Sequence, residues 1–493
     1  MPEINSLRPF MVVFVSFFFS ILIFLTGNLS GDLRNLWSII AASIKFIIIV
    51  SMIPAILEGT IFKFVLFELA PGITLMFRTD ALSAFFGLMS SMLWLITTVY
   101  TIGYMKEEKE LTRFFGFFAL CICSTMGIAF AGNMFTLFLF YEMLTICTYP
   151  LLIHDQTPLA LKVGRKYLIY TLTGSAFLLF AIIMTYNLSG TIDLNKNGIL
   201  DKVNNPFLLF ILFYTYIIGF GIKGVIMPLH GWLPDSMVAP TPVTALLHSV
   251  AVVKVGIFGI IRVIFNIFGY NLVKSLGLTI MLSYFAVFTI IAASVMAMYQ
   301  NNLKRRLAYS TISQLSYIIL GASLLTFSSV TGGIMHIAHQ AVMKITLFFC
   351  AGSIFKKTGK RYISDMDGIG WQQPVTIGAF SIAALGIIGL PPMVGFITKW
   401  YLGMGAIEAD KPFFAGVILL SSLLNAIYFL PIIYKAFFKK PLTDEPVKIS
   451  EPHWTIVIPC VITAFYSIAL GVFPNLPGFP LSLAKTAVLN FFK

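Results

Sequence analysis

The amino-acid sequence predicts an all-α integral membrane protein with about 14 transmembrane helices. Of its 493 residues, 58% are apolar and only 11% are charged, and the mean hydropathy is +0.92. Soluble proteins carry about a quarter charged residues, and this apolar content would leave large hydrophobic patches on a globular surface. Apolar runs of about 20 residues also recur along the whole chain. These observations exclude a soluble enzyme, a disordered chain and a disulfide scaffold.

The apolar runs are each long enough to cross a bilayer as a helix, which needs about 20 residues. Their centres lie near residues 18, 47, 91, 122, 143, 176, 217, 254, 285, 315, 343, 389, 424 and 464. Some connections are very short, such as Ala131–Asn133, so the helices that they join must be antiparallel. The first run has no small-residue cleavage site after it, and we expect a retained span. The spans form one compact helical domain without a soluble module.

The basic residues are distributed as membrane topology requires. The net charge is +13, but the basic residues lie in short clusters between spans. A nucleic-acid site would gather them on one polar face, so we expect lipid and no nucleic acid as a partner. Loops after odd-numbered spans hold 18 Lys and Arg, and loops after even-numbered spans hold 6. By the positive-inside rule, both termini of this multi-pass protein face the outside of the cell membrane.

Seven charged residues fall inside the predicted spans. They are Lys45, Glu142, Lys223, Lys254, Arg262, Lys344 and Lys399. A charge at the bilayer centre costs at least about 2.5–3.5 kcal/mol, so such residues face water, each other or protein. Lys45 and Arg262 lie near span ends, and we expect them to snorkel to the interface. The other five are deep and are candidate functional residues.

Glu142 is the one carboxylate in this set, and Lys223 is its natural partner. A lone buried carboxylate would take up a proton, whereas a nearby lysine would hold it ionised. A purely structural ion pair stays open as an alternative. Buried pairs are poor stabilisers, however, because desolvation offsets their attraction.

Two of the lysines lie next to predicted helix breaks. Lys223 precedes Pro228 by five residues, and Lys399 follows Gly389–Pro392. Proline removes a backbone donor and opens the helix, and unwound backbone at membrane depth is tolerated only beside protein or water. Paired breaks five spans apart indicate an internal repeat and point to an ion site.

The eleventh span carries a polar stripe. His336, Gln340 and Lys344 are spaced i, i+4 and i+8, which places them on one helix face over about 12 Å. His339 lies beside His336 at i+3. A neutral imidazole both donates and accepts a proton, so we favour a proton relay over a structural role.

The eighth span adds His248 and Lys254 to the candidates. In a continuous helix they would lie about 9 Å apart along the axis and face different directions.

No metal site is predicted from the sequence. His336 and His339 lack a third ligand in their helix, and the five cysteines lie in apolar stretches without metal-ligand spacing. Segment 193–201 copies the first half of a calcium loop, but Asn204 occupies the position of the usual bidentate Glu. We interpret this segment as a polar turn.

The polar motifs resemble those of antiporter-like subunits of respiratory complex I, Mrp-type Na⁺/H⁺ antiporters and membrane-bound hydrogenases. The resemblance extends from about residue 75 to residue 435. It rests on Glu142, on K-G-V-I-M-P-L-H-G-W-L-P at 223–234, on H-Q-A-V-M-K at 339–344 and on G-L-P-P-M-V-G-F at 389–396. Within the family the chain is most similar to the D-type subunit of Mrp antiporters, although Lys399 stands where some relatives carry Glu.

The resemblance implies two inverted five-helix repeats, spans 4–8 and 9–13, with broken helices 7 and 12. The expected segments are 1–110 for spans 1–3, 111–268 and 269–440 for the two repeats, and 441–493 for the C-terminal loop, span 14 and tail. It also implies roles for matched residues. Glu142 and Lys223 form the coupling ion pair, Lys254 and Lys344 are central carriers, Lys399 is the terminal carrier, and His248, His336 and His339 connect them.

Two functions stay open from the sequence. One is the proton-translocating subunit of a multisubunit cation/proton antiporter, and the other is an ion-pumping subunit of a redox complex, either hydrogenase or complex I-like. A structural scaffold is the third and least favoured interpretation. The chain contains no flavin, iron–sulfur, nucleotide or quinone motif, so we expect no cofactor in it and place any redox chemistry in partner membrane subunits. Deep cations repel Na⁺, which favours H⁺ over Na⁺ as the ion moved here.

Overall fold

The computed structural model describes residues 2–440, 448–476 and 480–492, and this part of the chain is mostly helical. Within it, twelve helical segments are long and apolar enough to cross a membrane. The predicted all-α membrane fold is therefore confirmed. Residues 441–447, with which the expected C-terminal segment begins, lie outside the described residues.

The N-terminal part combines three membrane helices with a small sheet. Its elements are β1 (Glu3–Asn5), α1 (Arg8–Thr26), α2 (Gly31–Leu57), β2 (Ile61–Ala70), β3 (Ile73–Thr79) and α3 (Ala81–Tyr104). β1 pairs with β2 in parallel, and β2 pairs with β3 antiparallel. The sheet is absent from the prediction because strands of three to ten residues are shorter than the runs of about 20 by which spans are recognised.

The next part begins with helices joined by short connections. Its helices are α4 (Leu111–Ala129), α5 (Met134–Leu152), α6 (Pro158–Ser189), α7 (Pro206–Lys223), α8 (Thr241–Ser249), α9 (Val252–Arg262) and α10 (Tyr270–Ser275). A π-helix at Val263–Phe268 continues α9. Side-chain caps start several of these helices, as where Asn133 accepts a hydrogen bond from the Thr136 amide at 2.8 Å. Such caps satisfy free N–H groups and let adjacent helices follow each other closely.

The remaining helices complete the bundle. They are α11 (Ile280–Met298), α12 (Leu303–Ser323), α13 (Phe327–Thr358), α14 (Ile369–Gln372), α15 (Pro374–Ile388), α16 (Val394–Glu408), α17 (Pro412–Phe438), α18 (Trp454–Val472) and α19 (Pro480–Phe492). The expected tenth span is α12, whose first turn is basic, and the expected twelfth span is the short pair α15 and α16. These two crossings account for the difference between the twelve long apolar segments and the fourteen predicted spans.

Helices 7 and 12 are broken where the sequence predicts. α7 ends at Lys223, and Val225 follows with a φ of +54°. Turns and a short 3₁₀ helix, Asp235–Val238, then lead to α8. The Trp232 indole donates a hydrogen bond to the Ile222 carbonyl at 2.9 Å. α15 ends at Ile388, and the residue that follows it, Gly389, has a φ of +95°, which suits glycine.

The eighth crossing is also broken, and the prediction of a continuous helix there is wrong. α8 ends at Ser249 and α9 begins at Val252, because Val250 and Ala251 have non-helical backbone angles. The apolar sequence S-V-A-V-V gives no proline or glycine signal for this break.

Neither Arg262 nor Lys45 snorkels to the interface as expected. Arg262 is 1% exposed and pairs with Asp80, the N-cap of α3, at 2.6 Å. Burial raises the pKa of Asp80, but the charge and hydrogen bonds of Arg262 outweigh burial and hold this pKa well below its usual value. Lys45 is fully buried in α2, donates to the Ser16 hydroxyl at 3.4 Å and lies 5.7 Å from the centre of the Trp94 ring.

The crossing of α7 and α9 gives a test of the packing. A Cβ at Gly256 would lie 2.3 Å from the Gly224 amide nitrogen, so we expect Gly256→Ala to push the helices apart and destabilise the protein by about 1–3 kcal/mol. Gly378→Ala is the matched control, because nothing lies within 4 Å of the Cβ it adds. Thermal unfolding of the assembled complex should show a lower midpoint for Gly256→Ala alone. Equal midpoints for the two variants would contradict this packing.

Candidate functional site

Glu142 and Lys223 come from neighbouring helices but form no salt bridge in the described part of the chain. Half-buried Glu142 accepts a hydrogen bond from the Ser175 hydroxyl of α6. Fully buried Lys223 donates to the Tyr141 carbonyl at 2.7 Å and lies 3.3 Å from the centre of the Tyr141 ring. The expected ion pair is thus open, because other partners satisfy both groups.

The helix that carries Lys254, α9, crosses the end of α7 at two glycines, Gly224 and Gly256. A Cβ at Gly256 would lie 2.8 Å from the Lys223 carbonyl carbon, so the backbones of α9 and the end of α7 are in close contact. Lys254 is fully buried, and no described protein group accepts a hydrogen bond from its ammonium. Buried polar groups in proteins are almost always satisfied by protein or ordered water. We therefore expect the Lys254 ammonium to be hydrated.

His248 lies at the end of α8, immediately before the unexpected break. Its ring is fully buried, stacks 4.8 Å from the Phe348 ring between centroids, and has no described hydrogen-bond partner on either nitrogen. Phe348 lies on α13, one turn after Lys344, so His248 packs against the helix that carries the polar stripe.

Lys344 occupies the centre of α13, and its side chain is fully buried. Its ammonium donates to the Ser310 hydroxyl at 2.6 Å and to the Leu307 carbonyl at 3.4 Å, both on α12. α12 also packs against α9, the helix that carries Lys254.

His336 connects α13 to α12 and α16. Its Nε2 lies 3.1 Å from the Gln314 side-chain oxygen, and its Nδ1 lies 3.1 Å from the Thr398 hydroxyl. Thr398 immediately precedes Lys399 in sequence. His339 and Gln340 are buried beside His336, and the His339 Nδ1 and the Gln340 amide have no described partner. The stripe predicted for the eleventh span is therefore a continuous buried polar surface.

Lys399 binds the free end of the broken twelfth helix. Its ammonium donates to the Ile387 carbonyl at 2.9 Å, to the Ile388 carbonyl at 2.7 Å and to the Ser422 hydroxyl at 2.8 Å. The last carbonyls of a helix lack partners inside it and carry a partial negative charge. The break therefore supplies the acceptors that hold this lysine.

Several residues of this region are missing from the prediction. They are Ser175, Ser310, Gln314, Thr398, Ser422, Asn425 and Tyr428. Asn425 is the clearest signal that the sequence offered, because an amide inside an apolar span needs hydrogen-bond partners. The hydroxyl residues give no such signal, since Ser and Thr in a membrane helix can bond to their own backbone.

No group of three or more metal-ligating side chains lies together among the described residues. All five cysteines are buried and free. The polar groups that the structure brings together in this region are lysine, histidine, carboxylate, amide and hydroxyl groups.

Two family models match the sequence. The model described as NADH:quinone oxidoreductase/Mrp antiporter, TM matches residues 131–425. The model described as NADH-Ubiquinone oxidoreductase (complex I), chain 5 N-terminus matches residues 70–115. The first match includes all eight predicted site residues.

Individual proteins agree with the family models. The NADH-quinone oxidoreductase N subunit of Desulforudis audaxviator is 33% identical over 363 residues, which cover 73% of this chain and 70% of the relative. The Na⁺/H⁺ antiporter D subunit of Bacillus subtilis is 26% identical over 458 residues, which cover 92% and 91%. A chain in the structure of the Mrp complex from Dietzia sp. DQ12-45-1b has the same fold, with a TM-score of 0.86, 20% identity and coverage of 99% and 98%. The chain belongs to the family of transmembrane subunits shared by NADH:quinone oxidoreductases and Mrp antiporters.

Proposed function

We propose that this chain is the proton-translocating subunit of a multisubunit cation/proton antiporter of the Mrp type, similar to the D-type subunit. The observation that carries the proposal is the series of buried and half-buried ionisable side chains that runs from α5 through α7, α9 and α13 to α16. Such groups are expensive inside a membrane and mark ion pathways. The relation to the antiporter D subunit over 92% of the chain supports the same function.

Proton movement in this proposal starts at the open pair of Glu142 and Lys223. When Glu142 turns from Ser175 towards Lys223, the carboxylate stabilises the charged lysine. When it turns away, burial disfavours that charge and the proton leaves towards Lys254. Charge acts over longer distances in a dry interior than in water, so this step biases the next carrier.

In the later steps the proton moves from α9 through α13 to α16. Lys254 passes the proton to Lys344, and His248 offers a hydrated side branch. His336 links this centre to Thr398 beside Lys399, the terminal carrier. Water that completes the connections binds to the groups without a described partner, which are both His248 nitrogens, the Lys254 ammonium, the His339 Nδ1 and the Gln340 amide.

Protons are the ion that this set of groups suits. Sodium prefers hard oxygen ligands, and Glu142 is the one carboxylate among the eight site residues. Lysine cations repel Na⁺ along the rest of the path. We therefore assign H⁺ to this chain and place Na⁺ transport in another subunit.

We further propose the repeat and the orientation that the sequence suggests. The third helix of each proposed repeat, α6 and α13, has 32 residues and ends at a left-handed glycine, and the fourth crossing of each is broken beside a lysine. The ends of the chain meet on one face, where Glu3 and Phe491 line a cavity with Arg78. The basic loops gather at the other end of α3, which supports termini on the outer face.

The second candidate is an ion-pumping subunit of a redox complex. The NADH-quinone oxidoreductase N subunit that is 33% identical to this chain favours it. The same lysine file would serve such a complex, with redox cofactors in partner subunits and none here. The identity of the partners therefore separates the two functions.

Removing the charges of the open pair tests the proton path. Glu142→Gln and Lys223→Met each remove one charge of the open pair, and we expect proton transport by the assembled complex in liposomes to fall roughly 100-fold, as on loss of a proton-transfer group. Glu58→Gln is the matched control, since Glu58 is exposed at the end of α2. Full transport in both charge variants, at normal assembly, would rule out the mechanism.

The partners of this chain separate the antiporter from the redox complex. Purification of the tagged chain from native membranes in mild detergent, followed by mass spectrometry, should recover small membrane subunits and no iron–sulfur or nickel–iron protein. Metal analysis of the same sample should find no stoichiometric iron. Recovery of an iron–sulfur arm would overturn the antiporter assignment in favour of the redox complex.

A further inference from the structure

A second polar connection leads from Lys344 towards Lys399 without passing through the histidines. It consists of Ser310 on α12 and of Tyr428 and Asn425 on α17. All three are at most 1% exposed, as is Lys344. No step of the proton path described above uses them.

The two ends of this connection determine its hydrogen-bond direction. The Lys344 ammonium can only donate hydrogen bonds, and it donates one to the Ser310 hydroxyl at 2.6 Å. The Asn425 amide nitrogen donates to the Ile387 carbonyl at 3.3 Å, so the amide oxygen faces Tyr428 and accepts from its hydroxyl.

The Tyr428 and Ser310 hydroxyl oxygens are 2.8 Å apart. Tyr428 has one hydrogen, and Asn425 takes it, so Ser310 must donate to Tyr428. With Lys344 charged, every bond therefore points from the lysine towards Asn425.

Asn425, at the far end of this hydrogen-bonded series, shares an acceptor with Lys399. The Ile387 carbonyl accepts a hydrogen bond from Asn425 at 3.3 Å and from the Lys399 ammonium at 2.9 Å. A change in the orientation of Asn425 therefore acts on a group that holds Lys399.

We propose that Ser310, Tyr428 and Asn425 form a reversible hydrogen-bond chain that communicates the protonation state of Lys344 to Lys399. The inference rests on the proposed proton path. A neutral Lys344 can accept a hydrogen bond, so Ser310 rotates to donate to it and Tyr428 rotates to donate to Ser310. The Asn425 oxygen then loses its donor, and its amide is released to change its hold on Ile387.

These three are positioning residues and not proton carriers. Each hydroxyl keeps one hydrogen throughout and only rotates, so no proton crosses the chain. The Asn425 amide and the Ile387 carbonyl that it contacts do not take up protons readily. The hydrogen-bond chain therefore couples Lys344 to Lys399, while the proton itself moves through His336.

The test measures proton transport by the assembled complex in liposomes. We expect Ser310→Ala and Tyr428→Phe each to slow transport about tenfold, within the range typical of coupling between two sites. The double variant should be no slower than the slower single one, because each change already breaks the same chain. Ser310→Thr, which keeps a hydroxyl, should restore most of the rate.

Tyr216→Phe is the matched control. Tyr216 is fully buried and pairs with the Thr185 hydroxyl at 2.8 Å, and no described hydrogen bond or ring contact joins it to a lysine of the path. It should transport at the normal rate, and the amount of assembled complex is measured for every variant.

Lys344→Met separates failure of this inference from failure of the proposed function. If Lys344→Met transports normally, the proton path itself is wrong. If Lys344→Met is inactive but Ser310→Ala and Tyr428→Phe are normal, or their effects multiply, the coupling chain is overturned. A loss in Ser310→Ala that Ser310→Thr does not rescue also counts against it.

Discussion

The rest of the site depends on how carbonyl and hydroxyl oxygens hold ammonium groups inside the membrane. A buried lysine is tolerated only where protein or water replaces its hydration. Lys223 has the Tyr141 carbonyl and ring, Lys344 has Ser310, and Lys399 has two helix-end carbonyls. None of these lysines has a direct carboxylate partner in the described chain. Neutral oxygen atoms therefore stabilise the charged form of each lysine, but no carboxylate locks the lysine in that form. This suits a group that must gain and lose a proton.

Helix breaks are the means by which the fold supplies this support. The end of α15 exposes the carbonyls that bind Lys399, and the end of α7 places Lys223 where α9 can cross it closely. The break before Val252 leaves His248 and Lys254 without hydrogen-bond partners among the described residues, in a region that must take up water. Irregular backbone is allowed at membrane depth only in such surroundings. The helix breaks thus also create the polar surroundings through which the proposed proton path runs.

Much of the fold could be predicted, because long apolar runs and proline breaks are local properties of the sequence. The same holds for Glu142 and the deep lysines, which stand out in apolar surroundings. The contacts between helices could not be predicted. Lys45 and Arg262 were placed at the interface because hydropathy does not reveal Trp94 or Asp80 as neighbours. The break at Val250 has no sequence signal, and the direct pair of Glu142 with Lys223 ignored Ser175, which competes for the carboxylate.

The proposed mechanism requires that the buried ionisable groups form one hydrated, connected path through the bilayer interior. The decisive experiment is a cryo-electron microscopy map of the assembled complex at a resolution that shows ordered water. The mechanism predicts water within hydrogen-bond distance of the Lys254 ammonium, the His248 ring and the Gln340 amide, and bridging water between successive carriers. Dry apolar packing around Lys254 and between Lys223 and Lys344 would contradict it.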